Sequence, residues 1–307
     1  MKVHLDTDFG GDTDDACALA MLLGWPGVEI TGITTAADRN GLRAAYVRYV
    51  LSLVGREVIP VEAGAAASLT SLEVADPVMD DARHWPTDLP PRPSPLGAAV
   101  ELLARNIGDG AAVVAIGPYT NLALLEVMAP GSLGQCALTV MGGWLALPDA
   151  GLPAWGPEMD FNVQWDTRAA EIIFASTSAL TLVPLAPTLK AHLRAADLPR
   201  LRASGPLGDL LAQQSEAHGA DYEMATLGRA HAGLPDDLLN FQYDPVTCGV
   251  ALGWDGATVK EMRLRPVWVE GSLRLQGDSH GRLRRIVTDL DGDRFAEVWL
   301  WAVDQVK

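Results

Sequence analysis

The fold of this chain is decided near its start, in the segment Val3-His4-Leu5-Asp6-Thr7-Asp8-Phe9-Gly10-Gly11-Asp12-Thr13-Asp14-Asp15-Ala16. An apolar stretch runs there into an acidic loop and then into a helix-like segment. Five aspartates fall within the ten residues from position 6 to position 15. Two like charges about 4 Å apart repel by about 1 kcal/mol even in water, and by more inside a cleft. Five ionised carboxylates brought together therefore need a counter-charge.

Three features of this segment answer that need. The amide dipoles at a helix N-terminus favour nearby anions, and Asp14 and Asp15 are placed to cap the helix that follows. A hard divalent cation such as Ca²⁺ or Mg²⁺ prefers oxygen ligands, whereas zinc favours His or Cys, which are absent from residues 6–15. Gly10 and Gly11 allow the backbone to fold its own carboxylates around one point. We therefore predict a metal-holding loop at the carboxyl end of the first strand.

The composition of the 307-residue chain is steady, and no linker rich in Ser, Gly or Pro divides it, so we predict one domain over residues 1–307. Hydrophobic residues make up 49% and charged residues 20%, which is typical of a folded enzyme. We expect neither a membrane span nor a secretory signal, because no long apolar run and no basic-then-apolar leader occur. The scattered cysteines fit a reducing compartment, and a cytoplasmic location is expected: Cys17, Cys136 and Cys248.

The formal charge of −16 bears on the choice of partner. Binding of nucleic acid is driven largely by Lys and Arg neutralising phosphates, so an acidic chain is a poor candidate for that role. A small anionic group remains compatible with the arginines present. The charge therefore argues more strongly against a nucleic-acid duplex than against a single nucleotide.

Apolar strand-like runs alternate with helical ones along the first 184 residues, which is the βαβ pattern. The predicted strands are Val3–Leu5, Val28–Thr34, Val58–Val61, Ala111–Ile116, Ala137–Met141 and Leu180–Pro184. The predicted helices are Asp15–Leu23, Leu42–Val54, Leu96–Asn106, Asn121–Met128 and Thr167–Ala175. The pattern predicts an α/β fold with a mainly parallel central sheet and helices on both faces. Such sheets bind ligands outside the carboxyl ends of their strands.

Three irregular stretches break this alternation, and long loops in compact domains are usually functional or mobile. They are residues 64–95, 145–162 and 228–244. After them, apolar residues alternate with polar ones on either side of Glu270-Gly271, which predicts a small antiparallel hairpin near the C-terminus. Apolar residues at steps of three and four then predict a last helix, Arg294–Val306, with one face on the sheet.

Five segments of the chain, beginning with the acidic loop, carry motifs. They are Asp6 to Ala16, Gly32-Ile33-Thr34-Thr35, Ile116-Gly117-Pro118-Tyr119-Thr120-Asn121-Leu122-Ala123-Leu124, Met141-Gly142-Gly143 with Asp160-Phe161-Asn162-Val163 and Asp166, and Tyr243-Asp244-Pro245. Together these motifs resemble those of the inosine-uridine-preferring nucleoside hydrolases. The first is similar to the family signature D-x-D-P-G-x-D-D-A with two extra residues. The resemblance extends over nearly the whole chain and implies Ca²⁺-dependent hydrolysis of the N-glycosidic bond of ribonucleosides, giving ribose and free base.

The resemblance implies a metal site and a base. Asp8, Asp15, Asp244 and the main-chain carbonyl of Ile116 would ligate the calcium ion. Glycoside cleavage passes through an oxocarbenium-like transition state, so the site needs an activated water on one face of the sugar. A carboxylate can bind a metal with one oxygen and accept a proton with the other, and Asp8 is the expected general base.

The resemblance also implies how the substrate is held. The residues expected to bind it are Asp14, Asn40, Asp160, Asn162 and Tyr243. Arg39 is an alternative to Asn40, because the match over residues 36–40 is ambiguous by one position. Relatives are commonly dimers or tetramers, so a homo-oligomer is expected.

The chain departs from the family pattern at several positions. Tyr243 replaces the histidine that is thought to protonate the leaving base in purine-cleaving relatives. A preference for purine nucleosides is therefore slightly less expected. A tyrosine with an ordinary pKa of about 10 is a poor acid at neutral pH. His84 and His231 are weaker candidates for that proton, and Phe9 replaces the proline of the signature. Asp6 either braces the loop or acts directly, and Asp12 either faces solvent or replaces Asp15 as a ligand.

Two other functions compete with this interpretation. Haloacid-dehalogenase-type phosphohydrolases also place D-x-D after their first strand, with Lys190 and the acidic residues 289–293 as candidate later motifs. The segments 117–121 and 160–162 have no place in that scheme. An inactive relative that only binds ribosides is the other alternative, and release of free ribose would separate an enzyme from a binder.

Overall fold

The structure is a computed structural model that describes residues 1–76, 81–86, 88–176 and 179–306. Its strands are β1 (Lys2–Thr7), β2 (Glu29–Thr35), β3 (Val61–Ala63), β4 (Ala112–Ala115), β5 (Ala137–Met141), β6 (Ala179–Val183), β7 (His192–Arg194), β8 (Leu238–Phe241), β9 (Ala257–Val269), β10 (Ser272–Gly277) and β11 (Arg282–Leu290). Its helices are α1 (Asp14–Gly24), α2 (Leu42–Leu53), α3 (Ala98–Gly108), α4 (Thr120–Met128), α5 (Phe161–Trp165), α6 (Thr167–Ala175), α7 (Leu185–Thr188), α8 (Leu198–Ala203), α9 (Pro206–Asp221), α10 (Met224–Ala230), α11 (Tyr243–Ala251) and α12 (Gly292–Asp304). Residues 77–80 and 87 of the first irregular stretch lie outside the described part.

The main sheet has nine strands in the order β10-β9-β11-β6-β5-β4-β1-β2-β3. The seven strands from β11 to β3 run parallel to one another, which confirms the predicted α/β class. The predicted hairpin is also present, since β9 and β10 pair antiparallel. It extends the main sheet, because β9 pairs antiparallel with β11 as well. A separate antiparallel pair joins β7 to β8.

The central strands are apolar on both faces because helices cover both. In β4, Val113 and Ala115 pack with α3, α4 and α6 in one hydrophobic cluster. Val114 and, just after the strand, Ile116 join the opposite cluster, which includes α1, α2, α11 and α12. Successive side chains of a strand point to opposite faces, so a strand covered on both sides reads as a continuous apolar run.

The predicted third strand is wrong by three residues. Val58 is exposed, and the strand begins only at Val61, where pairing with Ile33 of β2 becomes possible. An apolar run predicts burial from composition, but its pairing partner decides where the strand starts. The irregular stretch 228–244 is also more regular than predicted, because it contains β8 and the first residues of α11.

The carboxyl edge of the sheet gathers the chain segments that carry the motifs. Strand β1 lies between β2 and β4, so the direction of winding reverses between β1 and β4. Ligands bind at such a switch point in open α/β sheets. The acidic loop follows β1 there, and Ile116 follows β4 beside it.

Among the helices of the described residues, none has both the length and the apolar character that a membrane span requires.

Candidate active site

Three aspartates from distant parts of the chain meet at this edge. Asp14, Asp15 and Asp244 each offer a carboxylate oxygen, and these oxygens lie within 4.8 Å of one another. Asp14 and Asp15 are in the first turn of α1, and Asp244 is in the first turn of α11. Two helix N-termini therefore direct their amide dipoles towards the same carboxylates and offset part of their charge. All three residues are buried.

Asp8 lies in the loop between β1 and α1, close to the end of β4. A Cβ atom on Gly117 would lie 2.6 Å from the Asp8 amide nitrogen and 2.8 Å from its carboxylate Oδ1. Only glycine permits this approach without moving the loop. Next to Gly117, the carbonyl of Ile116 accepts a hydrogen bond of 2.8 Å from the Asn162 side-chain amide. A carbonyl oxygen has two lone pairs, so this bond leaves one for a further partner.

The carboxylates of the cluster disfavour one another. Burial raises the pKa of Asp14, Asp15 and Asp244 well above the ordinary value, and the neighbouring carboxylates raise these pKa values further. Burial also raises the pKa of Asp8, against the opposing effect of Arg43. The fully ionised cluster is therefore favourable only beside additional positive charge.

The contacts of Asp6 are those of a residue that holds the neighbouring elements together. Its Oδ1 accepts hydrogen bonds from the Thr34 hydroxyl and, at 2.8 Å, from the Asn121 amide. Asn121 also donates to the carbonyl of Thr35, so β1, β2 and α4 are tied together beneath the loop. Burial raises the pKa of Asp6 to about 7, and its Oδ2 has no hydrogen-bond partner among the described residues.

His4 extends this set of contacts on the side of Thr34. Its Nε2 lies 3.0 Å from the Thr34 hydroxyl, and its Nδ1 lies 2.8 Å from the amide of Asn106. Burial lowers the pKa of His4 to about 3, so the ring is neutral at ordinary pH. A neutral ring accepts from Asn106 at Nδ1 and donates to Thr34 at Nε2.

The predicted substrate-binding residues lie in different surroundings. Asp160 is buried, and its carboxylate accepts a 2.7 Å hydrogen bond from the Gly143 amide while also capping α5. Burial raises the pKa of Asp160 to about 6. Tyr243 is half-buried beside Asp244, and Asn40 is exposed with a left-handed φ of 64°. Asp14 belongs to the cluster itself. The roles of these residues in binding remain predictions.

Asp12 of the two-residue insertion has partners on α9 and β8. The Asn240 amide donates to its carboxylate, and His218 Nδ1 lies 3.7 Å from the same oxygen. The His218 ring is buried, and its centroid lies 4.5 Å from that of the Tyr222 ring, with the two planes tilted by 32°. Among the described residues, Nδ1 of His218 has no hydrogen-bond partner. No feature of the sequence indicated that this histidine lies beside the acidic loop.

The two histidines that the sequence offered as acids have other contacts. His84 is buried, with Nε2 3.8 Å from a carboxylate oxygen of Asp221. The Gln214 amide donates to its carbonyl, so the loop is fastened to α9. His231 Nδ1 lies 3.0 Å from the carbonyl of Leu227, within its own helical turn.

Arg43 is the site residue that sequence reasoning missed. It lies in the first turn of α2, is buried, and donates to main-chain carbonyls of the acidic loop. One signal was present in the sequence, because a cation in the first turn of a helix opposes the helix dipole. Asp38 anchors the same turn, since its carboxylate accepts from the amides of Arg43 and Ala44 at 3.0 Å each.

The fold is α/β, and its buried acidic cluster lies at the switch point of the sheet, where such proteins commonly bind ligands. The family described as inosine-uridine preferring nucleoside hydrolase matches residues 3–297 of the chain. The pyrimidine-specific ribonucleoside hydrolase RihA of Salmonella typhimurium is 35% identical over 232 residues, which are 69% of this chain and 70% of that protein. The chain belongs to the inosine-uridine preferring nucleoside hydrolase family, and the predictions of the family and of an N-glycosidase are confirmed.

Solved structures bear out the fold. A purine-preferring ribonucleoside hydrolase from Gardnerella vaginalis superposes with a TM-score of 0.81 at 23% identity, covering 100% of this chain and 99% of that one. An inosine-uridine preferring nucleoside hydrolase from Bacillus anthracis superposes with a TM-score of 0.69 at 19% identity, covering 99% of both chains. At these identities the likeness concerns the fold alone.

Proposed function

We propose that this protein hydrolyses the N-glycosidic bond of ribonucleosides to ribose and free base, and that the reaction depends on Ca²⁺. The observation that carries the calcium proposal is the meeting of Asp14, Asp15 and Asp244 within 4.8 Å, in a buried setting where their charges repel. The donor set is oxygen throughout, which suits a hard divalent cation better than zinc. The residues present therefore fit the ion.

Asp8, Asp15, Asp244 and the carbonyl of Ile116 would hold the ion. When bound, a divalent cation offsets the carboxylate charges and lowers the pKa of a water molecule beside it. Asp8 is proposed to accept the proton of the attacking water. It suits this role because Gly117 leaves room for its carboxylate at the end of β4, and because Arg43 opposes the effect of burial on its pKa.

The remaining residues would hold the sugar and the base. Asp14 offers a second acidic acceptor beside Asp15, suited to the ribose hydroxyls, and Asn162 fixes the orientation of the Ile116 carbonyl through its 2.8 Å bond. A site built to hydrogen-bond hydroxyls penalises an analogue that lacks one, so deoxyribonucleosides should be poor substrates. Tyr243, half-buried next to Asp244, is proposed to contact the base.

Pyrimidine ribonucleosides are the first substrates to test. The relative that is 35% identical is named as pyrimidine-specific, and a tyrosine replaces the family histidine at Tyr243. A pyrimidine can leave with its own carbonyl hydrogen-bonded, so it depends less on an acid from the protein.

The experiment is a reducing-sugar assay on uridine, cytidine, inosine and deoxyuridine, with the protein first stripped by a chelator and then restored with Ca²⁺. We expect ribose release from ribonucleosides only, lost on chelation and recovered on restoration. The variants Asp15→Asn and Asp12→Asn form a matched pair, since Asp12 is the rival ligand. Loss of Ca²⁺ binding with Asp12→Asn but not with Asp15→Asn would assign the ligand to Asp12. Saturable binding of ribonucleosides with no release of ribose would refute the enzyme.

A further inference from the structure

The guanidinium of Arg43 is bonded to the acidic loop through main-chain carbonyls. Its Nη1 donates to the carbonyls of three consecutive residues, Asp8, Phe9 at 3.2 Å and Gly10 at 2.7 Å. Its Nε donates to the carbonyl of Ala37 at 3.0 Å. Four carbonyls from two separate segments therefore converge on one side chain.

This position is costly for a cation. Arg43 is only 9% exposed and is the second residue of α2, where the helix dipole is positive. A buried charge needs hydrogen bonds and a nearby opposite charge to compensate for lost hydration. The carbonyls supply the hydrogen bonds but are neutral. The opposite charge comes from Asp8 and Asp15, whose pKa values Arg43 lowers against the larger effect of burial.

The loop that Arg43 holds has an unusual backbone. Gly10 and Gly11 both have φ of 93°, a left-handed conformation that side chains rarely adopt. This pair of residues turns the chain so that successive carbonyls face inward. The loop is two residues longer than the D-x-D-P-G-x-D-D-A signature, and each added residue brings backbone freedom that must be fixed when the loop is ordered.

A second contact fastens the same loop to the same helix. The ring of Phe9 lies 5.8 Å from the ring of Trp85, and Trp85 stacks at 4.2 Å on Tyr46 of α2. The loop is thus held by an aromatic contact on one side and by the guanidinium on the other. Of these two contacts, the one made by the guanidinium reaches the backbone of Asp8 directly.

From these contacts we infer that Arg43 is a positioning residue: it pre-forms the extended loop and fixes Asp8, the base of the proposed function, before cation or substrate binds. The inference rests on the proposed function for the role of Asp8. The shape of the loop itself can be tested without any activity.

Three variants separate the hydrogen bonds of Arg43 from its charge. Arg43→Met removes both, and Arg43→Lys keeps the charge but cannot reproduce the planar fork. Arg48→Met is the matched control, because Arg48 lies on the same helix and also donates to main-chain carbonyls, those of Val61 and Arg92, away from the acidic cluster. Circular dichroism and urea unfolding of each variant show whether the fold is retained.

The first measurement is hydrogen–deuterium exchange of the chelator-treated protein, followed by mass spectrometry of a peptide covering residues 6–13. We expect exchange at least about tenfold faster in both Arg43 variants and unchanged exchange in Arg48→Met. The second is Ca²⁺ titration by calorimetry, where loss of a supporting residue typically weakens metal affinity about 10–100-fold. We expect that weakening in both Arg43 variants, with a fall in kcat larger than any rise in KM for uridine.

Two results would overturn the inference. Unchanged exchange of residues 6–13 in a folded Arg43→Met protein would show that the loop forms without the guanidinium. Tighter Ca²⁺ binding by Arg43→Met, with Arg43→Lys like the wild type, would show that Arg43 acts only as a charge. If the wild type binds no Ca²⁺ and releases no ribose, the proposed function fails, and the exchange comparison still decides whether Arg43 shapes the loop.

Discussion

Replacing Asp244 with Asn should have opposite effects on the metal-free and the calcium-bound protein. The substitution keeps the size of a side chain that is buried beside Asp14 and Asp15. At a separation of at most 4.8 Å and an effective dielectric constant of about 20, two ionised carboxylates repel by at least about 3.5 kcal/mol. Protonation already relieves part of this repulsion, since the pKa values of all three groups are raised. We therefore expect Asp244→Asn to stabilise the metal-free protein by about 1–3 kcal/mol.

Thermal unfolding at pH 7, with and without Ca²⁺, measures both effects. A gain of about 1–3 kcal/mol should raise the midpoint of the metal-free variant by about 1.5–5 °C, since the entropy of unfolding scales with chain length. The wild type should gain about 2.7 kcal/mol when Ca²⁺ is present at a hundredfold excess over its Kd, whereas the variant should gain little. Ribose release should fall with the loss of the ion.

The control for this experiment is Asp109→Asn, which removes a charge from an exposed position at the end of α3. It should leave both unfolding curves in place. A metal-free Asp244→Asn protein that melts below the wild type, or one that is stabilised by Ca²⁺ as much as the wild type, would refute the electrostatic reasoning.

Three further predictions follow from the same contacts. Asp8→Asn should lower kcat for uridine by at least about 100-fold while the protein stays folded, because the proposed base is removed. Steady-state kinetics measure this, and a variant that turns over uridine as fast as the wild type would exclude Asp8 as the base. Tyr243→Phe should change the ratio of kcat/KM between uridine and inosine and leave ribose release measurable, and an unchanged ratio across a nucleoside panel would remove Tyr243 from the base pocket. The chelator-treated protein should lose stability as the pH rises from about 4 to about 7. Burial raises the pKa of Asp6 to about 7 and that of Asp160 to about 6. In this pH range the folded protein therefore holds protons that the unfolded chain releases. Urea midpoints at pH 5 and pH 8 check this, and a higher midpoint at pH 8 would contradict it.

The fold could be predicted from the sequence wherever a strand is covered on both faces. Val113 to Ile116 read as an unbroken apolar run because each neighbour packs into a different cluster. The third strand could not be placed in this way, since its start depends on pairing between Val61 and Ile33. Pairing partners are set by the tertiary fold, so an apolar run such as Val58 to Val61 gives only an approximate position.

The acidic cluster was predicted in part. The spacing of Asp14 and Asp15 before an apolar helix placed them at a helix N-terminus, and α1 begins at Asp14. Asp244 is more than two hundred residues away from them along the chain. The prediction that it lies near them came from the resemblance to a family, because nothing local to Tyr243-Asp244-Pro245 indicates a distant partner. The structure brings Asp244 to this position, while its role as a ligand remains a prediction.

Arg43 and His218 show what the sequence could not reveal. Each lies in a helix and contacts the acidic loop, which is 33 residues away along the chain for the bond from Arg43 to Gly10 and more than two hundred residues away for His218. For Arg43 the position in the first turn of α2 was a usable signal, because acidic residues are favoured there and a buried arginine is not. For His218 the contact with Asp12 depends on how α9 meets the acidic loop, which periodicity does not determine.

A crystal structure with Ca²⁺, with the ion located by its anomalous scattering, tests the central claim most directly. The account predicts one peak, 2.3–2.6 Å from oxygens of Asp8, Asp15, Asp244 and the carbonyl of Ile116, as is usual for calcium. A peak elsewhere in the molecule, or coordination that leaves out Asp244, would contradict it.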